Sequence, residues 1–311
     1  MNRAAKVVIS WFDSHALQSD DCQEEKIDWA RMMPFALMHL TPLLIYFCGF
    51  SWTALVACVL SYLLRMFAIT GFYHRYFSHK TFKTNRVVHT VFAFLGSSTT
   101  QRGPLWWASH HRRHHNYSDT ENDAHSPVTK KFLWSHMGWF LTKKHFPTEQ
   151  RHVRDWLKYP ELVFINRFDI FAPFFYALSL YGIGELINFI FPSLATNGLQ
   201  FLVWGFFVST IVLYHATFTI NSLAHKWGSK RFDTGDDSRN NRFLAIITLG
   251  EGWHNNHHYF PNTVKQGFYK GEWDLTYRIL KTMSFFGLVT DMKEKVPPKP
   301  AETVVSDLSL H

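Results

Sequence analysis

Residues 34–72 read PFALMHLTPLLIYFCGFSWTALVACVLSYLLRMFAITGF. Arg65 is the only charged residue in this stretch, and its one soft interruption is Gly49–Phe50–Ser51. Thirty-nine residues with a turn near the middle make two spans close to the ~20 residues that a bilayer core requires. Working outward, a second apolar block runs from Phe168 to Ile220, broken by Pro192, Asn197 and Gly198. The reading is an all-α membrane protein with four transmembrane helices, at about 34–50, 52–72, 168–190 and 199–220, arranged as two hairpins. The apolar run Val87–Gly96 is too short to span and is expected at the interface or packed in the protein.

Charge sets the topology. Lys plus Arg number four in 1–33, fifteen in 73–167 and twelve in 221–311, with none in the turns near 50 and 192–198. Basic segments mark the cytoplasmic side, so both termini and the two long polar segments are expected there. Residues 73–167 and 221–292 then share one membrane face and form a single helical cap, with 1–33 as an N-terminal segment and 293–311 as a loose tail. The net charge of +8 is explained by this topology, so nucleic acid is not an expected partner. The first 30 residues lack a signal-peptide pattern. Cys22, Cys48 and Cys58 are too few for a disulfide framework.

The anomaly is 19 His against 24 Asp plus Glu. Nine of them fall in four groups: His74-Arg-Tyr-Phe-Ser-His79, His111-Arg-Arg-His114-His115, Asn221-Ser-Leu-Ala-His225 and His254-Asn-Asn-His257-His258. Positions i, i+3 and i+4 share a helix face, so each HxxHH box converges three imidazoles, and Asn221 converges with His225. His74 and His79 are about 140° apart on an ideal α-helix, which suits a helix end. Neutral imidazole is a ligand for transition metals, and one zinc takes only three or four ligands. Two metals sharing about nine nitrogens is the economical reading, and the scarcity of acidic ligands points to redox iron. His39 and His215, within the spans, are expected to be unpaired, which speaks against a metal transporter with ligands at the bilayer midplane.

The four boxes, in this order around two apolar hairpins, resemble those of the membrane fatty acyl desaturases, most closely the Δ9 acyl-CoA type. The likeness covers about residues 34–292, and Gly250–His258 (GEGWHNNHH) is its most specific phrase. It implies a di-iron centre held by His74, His79, His111, His114, His115, His225, His254, His257 and His258, with Asn221 acting through a water. It also implies an O2-dependent reaction that places a cis double bond in a saturated fatty acyl-CoA chain. Gln101, Trp107 and Thr217 match positions where the family's acyl tunnel bends. Lys143 and Lys144, beside Ser135–Trp139, match a segment near bound CoA phosphates, with lipid head groups as the alternative contact. Glu251 is expected to orient a ligand imidazole, and His125 either to do the same or to line the substrate entrance. Arg112 and Arg113 are expected to pair with acidic groups or to meet the electron donor.

Two departures from the family pattern stand out. No cytochrome b5-like His-Pro-Gly-Gly signature occurs, so a separate donor of ferredoxin, rubredoxin or cytochrome b5 type is expected. Asn256 stands where many acyl-CoA members carry an aromatic residue. An acyl-lipid or acyl-carrier desaturase is the nearest alternative function. A hydroxylase is less well matched, because no box has Glu directly after its first His. The compact chain without a fused donor favours a bacterial inner membrane over the endoplasmic reticulum.

Overall fold

The computed structural model describes residues 3–15 and 25–300. The helices are α1 (Arg3–Phe12), α2 (Trp29–Leu40), α3 (Trp52–Ser78), α4 (Arg86–Ser97), α5 (Pro104–Tyr117), α6 (Pro160–Arg167), α7 (Phe171–Ile190), α8 (Gly198–His225), α9 (Arg242–Ile247), α10 (His254–Tyr259) and α11 (Leu275–Phe285). A two-stranded antiparallel ribbon, β1 (Lys83–Thr84) with β2 (Val289–Thr290), ties the loop before α4 to the chain after α11. Three helices, α3, α7 and α8, are long and apolar enough to cross a bilayer, which marks an integral membrane protein. Their outward residues fit lipid: Leu60, Leu186 and Phe189 are exposed, a surface that water would not tolerate in this quantity.

Three of the four expected spans, α3, α7 and α8, are helices of spanning length among the described residues. The first apolar arm, Met32–Cys48, reaches only 17 residues and changes from α-helix to a 3₁₀ turn at Thr41–Leu44. Pro42 lies at the start of that turn, where its missing N–H breaks the α ladder. The hairpin pairing holds nevertheless. Gln200 donates to Cys48 O at 3.0 Å and Trp204 Nε1 donates to Gly49 O at 3.0 Å, so the two turns meet at one end of the bundle. At the other end α3 and α8 run past their expected limits, to Ser78 and His225, and carry ligands directly into the cap. The tail expected from 293 stays bound as far as Pro297: Lys293 N donates to Thr81 O and Tyr269 donates to Pro297 O. Residues 301–311 lie outside the described residues.

One buried charge pins the bundle. Arg65 of α3 has no exposed surface. It donates to Thr210 Oγ1 (2.8 Å), Ser98 O (3.2 Å) and Ser209 Oγ, and its guanidinium sits 5.1 Å from the Tyr176 ring of α7. The spans expected to hold unpaired histidines differ as well. His39 Nε2 lies 3.3 Å from His215 Nε2, and His215 Nδ1 lies 3.0 Å from His136 Nε2. Sequence spacing gave no sign of this pairing because the three residues come from three separate elements.

Candidate metal centre

The first box owes its shape to a change of helix type. From Ala68 to Ser78, α3 is wound as a π-helix, in which hydrogen bonds run from residue i to i+5. The His79 N–H accordingly donates to His74 O at 3.2 Å. The wider turn brings the i, i+5 pair onto one side, with ring centroids 5.0 Å apart, instead of the 140° separation of an α-helix. The HxxHH boxes behave as α-helical spacing predicts. His111, His114 and His115 lie on α5, and His254, His257 and His258 on α10.

The nine histidines assemble into two adjoining clusters. In the first, the ligand atoms of His74, His79, His111, His115 and His257 all lie within 4.8 Å of one another. In the second the same holds for His114, His225, His254 and His258. The clusters touch through His115 and His258, whose rings are 4.5 Å apart. Within the first, Nε2 atoms approach at 2.7 Å (His79–His111), 2.9 Å (His115–His257) and 3.0 Å (His74–His257). Burial, followed by neighbouring imidazoles, pushes the pKa of His79, His111, His115 and His257 well down. These rings are therefore neutral lone-pair donors at neutral pH.

Carboxylates behind the rings set the tautomers. Asp123 Oδ2 lies 3.0 Å from His114 Nδ1, Asp119 Oδ2 2.8 Å from His225 Nδ1, and Asp236 Oδ2 2.6 Å from His258 Nδ1. Glu251 contacts His74 Nδ1. A carboxylate at Nδ1 keeps the proton there and leaves the Nε2 lone pair free. His258 shows the result, since its Nε2 is buried and has no hydrogen-bond partner. Convergent, desolvated Nε2 lone pairs fit a pair of metal cations, each with nitrogen-rich ligation, and the two clusters form a metal site. Glu251, expected to orient a ligand imidazole, stands behind His74. Asp119, Asp123 and Asp236 went unrecognised in sequence, where they read as loop composition. They lie in DTEND and DTGDD segments that only tertiary folding brings behind the rings.

Other site residues fall as follows. Asn221 lines the space beside His114 and His254. Gln101, Trp107 and Thr217 line one cavity of about 510 Å³ that reaches His111 and Asn221. There Gln101 Nε2 donates to Thr217 Oγ1 at 3.3 Å, and Trp107 stacks on His111 at 5.0 Å. A smaller space of about 40 Å³ is lined by residues of α3 together with Trp107, Asn221, Thr248 and His254. His125 meets both of its alternatives, lining the large cavity and lying 4.3 Å from the His114 ring. Arg112 pairs with Asp155 at 2.8 Å and Arg113 with Glu149 at 2.6 Å. Lys143 and Lys144 do not line the cavity. Lys144 and Lys130 both grip Glu25, at 2.9 and 2.8 Å, which holds its carboxyl down to about 2 against the opposing effect of burial.

The GEGWHNNHH phrase is explained by packing. A Cβ on Gly252 would sit 2.0 Å from Ala245 N, so only glycine lets α10 approach α9. Asn256 is fully buried. Its Oδ1 accepts from Arg231 and Asn240, and its Nδ2 donates to Gln266 O and Glu272, all at 2.8–3.0 Å. A polar residue with both ends satisfied thus stands where an aromatic residue is common, and it locks the helix that feeds both clusters.

Comparison with known proteins agrees with this geometry. The family described as "Fatty acid desaturase" matches residues 50–266. An acyl-CoA 5-desaturase of Anemone leveillei is 36% identical over 78% of this chain and 73% of its own length. An sn-1 stearoyl-lipid 9-desaturase of Anabaena variabilis is 33% identical over 86% of this chain and 94% of its own. A palmitoyl-monogalactosyldiacylglycerol delta-7 desaturase of Arabidopsis thaliana is 35% identical over 86% and 69%.

Proposed function

This chain belongs to the membrane fatty acid desaturase family and is an oxidoreductase acting on fatty acyl chains, and from that premise we propose that it is a di-iron Δ9 desaturase. The observation that carries the reading is the meeting of nine buried imidazoles with the end of an apolar cavity. The overall reaction removes two hydrogens from the chain. O2, two external electrons and two protons are consumed, and two waters form. Two irons at the clusters would supply the activation of O2 that side-chain acid–base chemistry lacks. The protein's own part is placement. Trp107 and the Gln101–Thr217 pair hold the chain beside His111, and the apolar walls keep water from it. Asn221, which lines a space with His114 and His254, would help to hold a metal there through a water. A separate small redox protein supplies the electrons. Both termini and the cap face the cytoplasm, because every basic segment lies on that side.

The acyl-CoA form of the reaction was expected from the sequence. An acyl-lipid form has a specific observation in its favour: Lys144 and Lys130 share the carboxylate of Glu25, which competes with CoA phosphates for both. Expression in a host lacking its own Δ9 desaturase, followed by gas chromatography–mass spectrometry with disulfide adducts, tests the reading. A cis-9 monoene that disappears with His257→Ala is expected. A hydroxy acid, or no new product with several redox donors supplied, would refute it. Lys144→Ala is expected to leave conversion of lipid esters unchanged. A large loss confined to CoA thioesters would restore the CoA reading.

A further inference from the structure

The large cavity has a polar corner that the reaction chemistry does not use. Arg102 is the only Lys or Arg among its described lining residues, and it faces the carboxylate of Asp169 there. Arg102 follows Gln101, the residue bonded to Thr217 near the metals. Its backbone is left-handed (φ 71°), as is that of Thr100 (φ 59°). Two non-glycine residues in that region within three positions are costly and persist where the surroundings dictate them. Here they do: a Cβ on Gly103 would lie 2.4 Å from Asn166 Cα, which clamps the loop against the end of α6.

The guanidinium is held flat, 3.7 Å from the Phe146 ring and 5.7 Å from Trp106. Arg102 Nε is 3.0 Å from Asp169 Oδ2, but the two are not aligned for a hydrogen bond. Among the described residues no hydrogen bond occupies its two terminal nitrogens, and about a fifth of the side chain is open. Burial lowers the proton affinity of Arg102 and raises that of Asp169, so the pair is a poor source of stability. What it offers is a fixed, planar, charged donor edge in an otherwise apolar wall. With the cation balanced by Asp169, the corner offers no net positive charge to a phosphate and suits a neutral acceptor oxygen.

Resting on the desaturase reading, we propose that Arg102 anchors the carbonyl oxygen of the substrate's ester or thioester, and so sets how far the chain extends past Gln101 to the metals. Asp169 and Phe146 are its positioning residues. The head group stays outside, which makes the anchor common to lipid esters and CoA thioesters.

The test compares Arg102→Met and Arg102→Lys with the wild type in the Δ9-deficient host. Arg102→Lys should keep the single double-bond position. Arg102→Met should spread the bond over neighbouring positions and lower conversion about tenfold, the size of one charge-assisted hydrogen bond, with metal per protein unchanged. The wild-type isomer at wild-type conversion from Arg102→Met at equal abundance would overturn the anchor. If Arg102→Met does not accumulate, the wild type decides alone, by displacement of a fluorescent saturated acyl probe. Stearoyl-CoA should displace it about tenfold better than the thioether S-octadecyl-CoA, or a stearoyl glycerolipid about tenfold better than its octadecyl ether. Equal potency within both pairs overturns the anchor. A wild type that desaturates nothing defeats the desaturase reading instead, while the displacement ratio still decides on Arg102.

Discussion

In the five-histidine cluster one imidazole, His74, has a carboxylate behind it, whereas in the four-histidine cluster three do: Asp123 on His114, Asp119 on His225 and Asp236 on His258. The first cluster is held by rigid elements and by ring packing. His79 meets His111 and His115 edge-on at 4.8 and 4.7 Å, and His115 meets His257 at 4.7 Å. Its one carboxylate is also shared with Arg75, 2.9 Å away. The second cluster draws His225 from a helix exit and depends on loop carboxylates for orientation. The pair of sites is therefore electrically unequal, with the second the more negative. Metals of the same element would differ there in potential and in hold.

The largest break in this arrangement is expected at His257. Its Nε2 lies within 3.0 Å of both His74 and His115, and no neighbouring ring can replace it. His257→Ala should abolish desaturation and lower metal per purified protein to about half, because ligation by the four-histidine cluster persists. Full metal content in that variant would show the two sites to be one. A smaller effect should separate the clusters by their carboxylates. Asp236→Asn and Asp119→Asn are each expected to weaken metal retention by about 10- to 100-fold in chelator competition. Glu251→Gln should fall at the lower end, because packing already fixes its cluster. A Glu251→Gln loss as large as that of Asp236→Asn would remove the distinction.

Acid should reveal the same inequality. Burial pushes the pKa of His114 down, but Asp123, Asp119 and Asp236 outweigh it, and the net shift is above 6.5. His79, His111, His115 and His257 of the first cluster shift the other way, and so do His254 and His258 of the second. In metal-free protein His114 thus favours the fold below about 6.5, and this contribution fades as pH rises through its folded value. The lowered histidines favour the fold above 6.5, and theirs is lost as pH falls. Protons compete with metal for the same lone pairs. His114 is therefore the first ligand that protons should take, near or above pH 6.5, so the four-histidine cluster should begin to release metal before the five-histidine cluster. Metal content after desalting at stepped pH should fall in two stages. A single stage would contradict the assignment.

The parts of this molecule that the sequence displays are those fixed by local periodicity. The HxxHH boxes work because i, i+3 and i+4 spacing survives folding, and the apolar blocks mark both hairpins because lipid imposes a length. The His74–His79 pair was harder to read, since α geometry was assumed where a π turn occurs. The break at Pro42 shortened a span that composition alone suggested was complete. Asp119, Asp123 and Asp236 follow no period. They are loop residues whose role depends on where α5, α8 and α10 carry the rings, and no spacing rule encodes that. The same is true of His39, His215 and His136, and of the Arg102–Asp169 pair.

The smallest effect on the metals is expected from the other fully buried arginine. Arg75, in the cap, is neutralised by Glu251 and Asp274 at 2.9 and 3.0 Å, and losing it would disturb His74. Arg65, within the bundle, is matched only by hydroxyl and carbonyl oxygens from α8 and the end of α4. No carboxylate pairs with it among the described residues. Removing it strands several acceptors at a cost of about 1–3 kcal/mol, but none of them touches a ligand. Arg65→Met should lower the unfolding temperature in detergent while leaving metal per protein and the two-stage acid release unchanged. Loss of metal from Arg65→Met would mean that the bundle, and not the cap's own carboxylates and rings, holds the clusters in register.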